Sequence, residues 1–326
     1  VAAFVTLDEI RAARERIKPA ARYTPMIDVP YPAAQAAGAT RLYLKCENFQ
    51  PMGAFKIRGA FNMIAQLPKE NLARGVITYS SGNHGQAVAL AAQALGTPAV
   101  IVMPTTAPQV KIDGCKSYGA EIIMAGTTSL DRQRRAEKEA SERGLTMVPP
   151  FDHKQIIIGQ GTMGLEILEQ CPDVATVFVP VGGGGMASGV AAAIKLSKPS
   201  VRIVAVEPEG APKMTTSLAA GQPTTLPSSK SIADGLMNLR PGDITFAHIR
   251  QFVDEVVTVS EDAIAANVAW LFRNARLVVE PSGAVTTAAV ALGLGHADPG
   301  KGPVVAVVSG GNVAPDAFAK YVTANG

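Results

Sequence analysis

Three groups of residues in this 326-residue chain have the types and spacing to do chemistry together. The first is Lys56, preceded by the apolar run Pro51-Met52-Gly53-Ala54-Phe55 and followed by Ile57-Arg58-Gly59. The second is the turn Tyr79-Ser80-Ser81-Gly82-Asn83-His84-Gly85, and the third is Gly182-Gly183-Gly184-Gly185. A lysine amine forms a Schiff base with a carbonyl, four glycines present unhindered N–H groups to a phosphate, and a Ser/Asn/His turn can receive a carboxylate. A phosphorylated carbonyl cofactor would use all three. Each group also has a plainer reading. Lys56 can be a solvated residue on a first helical turn, and the glycines can form a tight turn with no ligand. A nucleotide site is the rival for the glycine run. No Gly-Lys-Ser/Thr follows it and its glycines lack the dinucleotide spacing, yet Glu207 ends the next strand-like segment, so that alternative stays open. A compact phosphate fits the run better than a pyrophosphate.

What favours Lys56 as the reactive amine is its setting. An apolar shoulder and the positive end of a helix both disfavour an ammonium and lower its pKa. Arg58 does not share its helix face and reads as an ion-pair partner. Lys45 has Glu47 beside it and Lys111 has Asp113, which makes both less suitable.

The elements that must position these groups alternate between strand and helix. Strands are expected at Arg41–Lys45, Gly75–Tyr79, Pro98–Met103, Glu121–Met124, Leu145–Val148, Thr176–Val181, Val201–Val206 and Val304–Val308. Helices are expected at Phe55–Gln66, Gly85–Leu95, Ala107–Tyr118, Gly159–Gln170, Gly189–Leu196 and Pro315–Val322, with a charged one around Asp131–Glu139. Continuous apolar strands between helices predict an α/β fold with parallel sheets covered on both faces. Ligands in such folds sit at the carboxyl ends of strands, where the Ser80 turn, the glycine run and Ser309-Gly310-Gly311-Asn312 all fall. Three such strand ends imply one shared cleft.

Composition bounds the partners. A chain of this length with 47% hydrophobic residues can bury a full core and divides into two lobes. Net charge is only +3 and basic residues are interleaved with acidic ones, which argues against a nucleic-acid surface. Cys46, Cys115 and Cys171 are odd in number and too far apart for a metal knuckle, consistent with a reducing compartment. With no signal-like start and no apolar run of membrane-spanning length, the expectation is a soluble, cytoplasmic protein.

These motifs, in this order, make the chain resemble the fold-type II pyridoxal-phosphate enzymes, the tryptophan synthase beta superfamily, and within it the threonine/serine dehydratase and serine racemase branch. The resemblance runs from Tyr23-Thr24-Pro25 through Lys45-Cys46-Glu47-Asn48-Phe49-Gln50, Phe55-Lys56-Ile57-Arg58-Gly59-Ala60, Ser80-Ser81-Gly82-Asn83-His84-Gly85-Gln86 and Ser231-Ile232-Ala233-Asp234-Gly235 to Ser309-Gly310-Gly311-Asn312. It implies a two-lobed fold, with a large cofactor-binding domain of residues 1–49 and 151–326 and a small mobile substrate-side domain of residues 50–150. It further implies pyridoxal phosphate held by Lys56 as a Schiff base. Phe55 would pack beside the ring, Asn83 contact the 3-hydroxyl, Gly182, Gly183, Gly184, Gly185 and Met186 bind the phosphate, and Ser309 face the pyridine nitrogen, with Gly235 also lining the cofactor. Ser80, Ser81, Asn83 and His84 would take the substrate carboxylate side, and Ser81 would stand opposite the lysine as in racemases. His84 can instead tie a loop together, and Gly235 can simply permit a turn.

Two positions depart from the family pattern. Ala54 stands where serine is common, leaving one hydroxyl fewer near the lysine. The divalent-metal site of many relatives maps to Glu207, Ala211 and Lys213, and an ammonium cannot ligate a metal but can pair with Glu207. No divalent requirement is therefore expected. A serine facing the ring nitrogen implies a moderated electron sink, which favours prompt loss of a β-substituent. The implied reaction is dehydration of L-threonine or L-serine to a 2-oxo acid and ammonia. Alternatives are racemisation of serine, or dehydration of phenylserine or 3-hydroxyaspartate; an unrelated one is a noncatalytic amino-acid or nucleotide-binding protein. A homodimer is expected from the family. No length remains after Pro315–Val322 for a regulatory domain, so feedback through one is not expected.

Overall fold

The strand Val304–Val308 is five small apolar residues, all buried, and it occupies the middle of the larger sheet. β-Branched side chains stiff at χ1 suit a strand covered on both faces. The computed structural model describes residues 4–30, 41–80, 82–107, 109–296 and 301–324. Ser81 lies outside the described residues.

Ten strands are described: β1 (Met26–Val29), β2 (Leu42–Cys46), β3 (Val76–Tyr79), β4 (Ala99–Met103), β5 (Glu121–Met124), β6 (Thr146–Met147), β7 (Thr176–Pro180), β8 (Arg202–Pro208), β9 (Glu255–Val259) and β10 (Val304–Val308). The helices are α1 (Leu7–Ile17), α2 (Ile57–Ile64), α3 (Lys69–Arg74), α4 (Asn83–Leu95), α5 (Gln109–Ser117), α6 (Ser129–Arg143), α7 (Lys154–Gln170), α8 (Gly185–Ser197), α9 (Lys213–Ala220), α10 (Asp243–Phe252), α11 (Glu261–Ala275), α12 (Pro281–Ala291) and α13 (Pro315–Ala324). The six-stranded sheet has the order β1-β2-β10-β7-β8-β9, parallel except for β1 against β2. The four-stranded sheet, β5-β4-β3-β6, is wholly parallel.

Alternate side chains of each strand feed two separate cores. Val305, Val307, Val177 and Val179 face the layer of α1, α7, α8 and α10, whereas Val304, Ala306, Val308 and Phe178 face that of α11 and α12. The smaller sheet splits the same way, with Val76, Ile101 and Met103 on one side and Ile77, Val100 and Val102 on the other. Ile17 and Ile156, distant in sequence, complete the core beneath the smaller sheet.

Three helices begin earlier than the sequence pattern suggests: at Asn83 rather than Gly85, Lys154 rather than Gly159, and Gly185 rather than Gly189. Glycine and asparagine are poor helix formers, but packing outweighs propensity here, and a first turn carries N–H groups with no intrahelical partner anyway. The first helix after Lys56 is correspondingly shorter than expected, closing at Ile64.

Candidate active site

Lys56 is the N-cap of α2, and its loop is stitched to the end of β10 by two backbone hydrogen bonds that form an antiparallel bridge. Phe55 N–H donates to the Ser309 carbonyl at 3.1 Å, Gly311 N–H to the Gly53 carbonyl at 2.9 Å, and Ala54 pairs with Gly310. The Lys56 Nζ donates to the Pro150 carbonyl at 2.8 Å and lies 5.1 Å from the Phe55 ring centre. Burial lowers its pKa to about 8.

The residue after Pro150 reaches the glycine run. A Cβ on Gly183 would come within 2.3 Å of the Phe151 ring, and one on Gly185 within 3.1 Å of the Phe151 backbone, so neither position admits a side chain without displacement. Gly184 has φ +102° and caps α8 with no side-chain bond. The Gly183 carbonyl accepts from Thr245 Oγ1 at 2.6 Å, and Asp152 in turn caps α10 through the N–H groups of Asp243, Ile244 and Thr245 at 3.0–3.1 Å. The first N–H groups of the thirteen-residue α8, which have no intrahelical partner, are therefore closely surrounded by Phe151 and Thr245 just after β7. Buried Met186 sits in that first turn.

The N-terminus of α4, at the carboxyl end of β3, also has no side-chain cap. Asn83 donates Nδ2–H to Glu280 Oε1 at 2.7 Å and accepts at Oδ1 from Asn312 Nδ2 at 2.8 Å. Ser80 Oγ accepts from Gly82 N–H at 3.2 Å. His84 Nε2 lies 3.0 Å from the Val148 carbonyl, which fixes the proton there. Its Nδ1 is a buried acceptor with no hydrogen-bond partner among the described residues. Burial, then the nearby Lys56 charge, lowers the pKa of His84 to about 3, so the ring is neutral and cannot attract a carboxylate by charge. The backbone N–H groups of Asn83 and His84 at the helix start can do so.

Ser309, 4% exposed, is at the carboxyl end of β10 with its Oγ 3.4 Å from the Ser282 carbonyl. Gly235, in the short 3-10 turn Asp234–Leu236, donates its N–H to Ser282 Oγ at 3.0 Å, and its carbonyl is 3.1 Å from where a Cβ of Gly182 would stand. Lys56, Phe55, Ser80, Asn83, His84, Gly182–Gly185, Met186, Gly235 and Ser309 are thus joined by chains of direct contact around the strand ends of both sheets.

The sequence reading does not single out Glu280, and it reads Arg58 as an ion-pair partner, which the structure shows. Glu280, 5% exposed, has its pKa raised to about 8 by burial and then by Asp234, against the opposing effects of Asn83 and Lys111. A carboxyl at the Asn83 amide thus titrates near neutrality. Arg58 is the hub of a buried cluster, donating Nε to Glu47 Oε2 at 2.8 Å and Nη1 to Glu166 Oε1 at 2.6 Å. Burial lowers its pKa but the two carboxylates more than reverse that. Lys45 joins the cluster, not through Glu47 but through Glu166 at 2.5 Å. Lys111 bonds Asp234 at 2.7 Å rather than Asp113. The signal for Glu47, Arg58 and Glu166 was available, since three charges among apolar residues require partners.

An unhindered N–H cradle at a helix start, a lowered amine tied by one bond and an orphaned buried acceptor fit a phosphorylated aldehyde. Comparison with known proteins agrees. Residues 17–310 match the family of pyridoxal-phosphate dependent enzymes, and the chain belongs to it. It is similar to an L-threonine ammonia-lyase from Thermotoga maritima, 42% identical over 309 residues covering 95% of this chain and 76% of that one. It is similar also to a serine racemase from Oryza sativa, 44% identical over 283 residues covering 87% of this chain and 83% of that one. The solved structure of maize serine racemase superposes with a TM-score of 0.91 at 40% identity, covering 99% of this chain and 98% of that one. The fold is therefore the two-lobed fold-type II architecture, in the branch of threonine/serine dehydratases and serine racemases. Among the described residues no helix is long and apolar enough to cross a membrane.

Proposed function

We propose that this chain dehydrates L-threonine or L-serine, releasing a 2-oxo acid and ammonia, with pyridoxal phosphate bound covalently through Lys56. The observation that carries the reading is the Lys56 amine, its pKa lowered to about 8 by burial and bonded, among the described residues, to the Pro150 carbonyl alone. The likeness to the Thermotoga ammonia-lyase supports the reaction type.

In this reading the N–H groups of Gly182–Gly185 and Met186 would hold the phosphate, Phe55 would line the ring's site, and the Ser309 hydroxyl would serve the ring nitrogen, with Gly235 also lining the cofactor. Bound there, pyridoxal phosphate supplies an electron sink for the α-carbon of an amino acid. Ser80 and the start of α4, at Asn83 and His84, orient the substrate carboxylate. Displaced from the cofactor by the substrate amine, the Lys56 amine would take the α-proton and return it to the β-hydroxyl, which would leave as water; the enamine product, once released, would tautomerise to an imine and hydrolyse. Threonine gives 2-oxobutanoate and serine gives pyruvate. Closure of a small domain of residues 50–150 on the rest would exclude water. A cytoplasmic homodimer belongs to the same proposal.

Serine racemisation is the second reading, favoured by the likeness to the rice and maize racemases and by Ser81 in the motif. A panel of both enantiomers of threonine and serine, phenylserine and threo-3-hydroxyaspartate, scored for ammonia, 2-oxo acid and enantiomer exchange, separates the two. L-Threonine and L-serine should give the highest kcat/KM for 2-oxo acid. Dominant D-serine formation from L-serine would replace the reading by racemisation, and a preference for phenylserine or hydroxyaspartate would replace the substrate alone. Borohydride reduction followed by peptide mass spectrometry should place the cofactor on Lys56; an adduct elsewhere, or none, rejects the site.

A further inference from the structure

The family resemblance implies a divalent cation between an acidic residue, a backbone carbonyl and a second acidic residue, and the corresponding positions here are Glu207, Ala211 and Lys213. Glu207 lies in β8 and Lys213 opens α9, and both side chains are 0% exposed. The Lys213 Nζ lies 3.0 Å from the Val181 carbonyl oxygen, 3.0 Å from that of Ala211, 2.9 Å from that of Leu236 and 3.2 Å from Glu207 Oε2. All four neighbours are acceptors. An ammonium has donors and no lone pair, so this oxygen shell fits the charged form, whereas a neutral amine would turn its lone pair toward an oxygen. Burial does lower the Lys213 pKa, and the Glu207 charge opposes it.

Glu207 is equally committed. Its two oxygens accept the N–H groups of Met214 at 3.0 Å and Thr215 at 2.8 Å, capping α9. A metal placed among these oxygens would have to expel the ammonium and leave it buried without a partner, at large cost. The residues present do not fit the divalent site.

We propose that the Lys213 ammonium is a built-in cation that replaces the divalent metal and positions the phosphate-binding loop. The carbonyls it gathers come from three segments: Val181 precedes Gly182 directly, Leu236 follows Gly235, and Ala211 belongs to the turn between β8 and α9. One charge therefore pins both walls of the candidate cofactor cradle. The consequence for cofactor affinity rests on the functional reading above; the consequence for stability does not.

The test uses the purified holoenzyme, Lys213→Met, which keeps the apolar stem without the charge, and Lys213→Glu, which restores a second acidic ligand. Thermal midpoint and pyridoxal-phosphate dissociation are followed after exhaustive chelation and again with millimolar magnesium, calcium or manganese, against sodium chloride of equal ionic strength. Wild type should show the same midpoint and the same dissociation in every condition. Lys213→Met should melt several degrees lower and bind cofactor about tenfold more weakly, the scale of one lost charge-assisted contact. Lys213→Glu should regain midpoint with a divalent cation but not with sodium. A wild-type midpoint that falls on chelation and recovers with a divalent ion overturns the proposal, and needs no variant to fold. So does a Lys213→Met protein unchanged in both measures, or a Lys213→Glu protein indifferent to divalent ions. Lowered midpoints with unchanged cofactor dissociation would uphold the built-in cation while rejecting the cradle assignment.

Discussion

An amine reacts with an aldehyde only in the fraction that has lost its proton, so the environment of Lys56 decides its usefulness at neutral pH. With a pKa lowered to about 8 by burial, about one-tenth of the Lys56 side chains are neutral at pH 7, against roughly one in three thousand for an ordinary lysine. Capture of pyridoxal phosphate by the apoprotein should therefore rise about tenfold per pH unit up to about 8 and then level off. Stopped-flow absorbance of the adduct across pH 6–10 measures this, and a rate still climbing steeply above pH 9 would show an unshifted lysine. The shift has a stability counterpart. The native state of the apoprotein has lost the Lys56 proton by pH 9, while the unfolded chain keeps it to about 10.5, so this group makes stability rise with pH across that window. Lys56 could be singled out from sequence because its apolar shoulder is local. Glu280 could not, because what makes it matter is contact with Asn83 across 197 residues and exclusion from water, neither of which leaves a local trace.

Elements enter where helices approach closely enough to fix the loops between them. α7 lies between α2 and α8, and its glycines mark the crossings. A Cβ on Gly159 would stand 2.6 Å from the Arg58 carbonyl, and one on Gly189 of α8 would stand 2.2 Å from the Ile157 carbonyl. Both obstacles are backbone, which cannot rotate away. Gly189→Ala should therefore push α8 off α7 and cost about 1–3 kcal/mol in urea unfolding of the apoprotein, with cofactor affinity falling as the α8 N-terminus moves. Unchanged stability would mean the two helices can separate freely. The sequence made the strands legible, since β7 and β10 are unbroken apolar runs. It made the starts of α4, α7 and α8 less so, because glycine argues against a helix locally while in the fold it permits the close approach. The sequence reading assigns no element to the antiparallel β1, the helices α1, α3 and α9 to α12, or strand β9. Val256 and Val257 of β9 are only half-buried and the first turn of α11 is acidic at Glu261 and Asp262, so their apolar patterning is diluted.

At the scale of the whole molecule, the strand ends of the two sheets meet across the candidate cleft, and a few polar contacts span it. Asn83 of α4 bonds Glu280 and Asn312, and Lys111 of α5 bonds Asp234 at 2.7 Å, beside Gly235. None of these pairings could be foreseen from sequence, where Lys111 has Asp113 as its nearest acid. The Lys111–Asp234 pair is half-exposed on the Asp234 side, so its share of folding stability is small, about 0–1 kcal/mol. In the closure of the small domain proposed above, its leverage would be on the orientation of one sheet against the other. An ion pair that bridges two bodies biases them toward the closed arrangement, and apparent substrate affinity falls in proportion to the closed fraction lost. Lys111→Met should accordingly leave the thermal midpoint close to wild type while raising KM about two- to fivefold, the factor that a contact of up to 1 kcal/mol provides. Because the pair is partly exposed, salt should screen it. Raising ionic strength should increase the wild-type KM toward that of Lys111→Met and leave the variant's KM nearly constant. Parallel salt dependence in the two proteins would show that the bridge does not govern closure, and a large drop in the variant's midpoint would make it a structural contact instead.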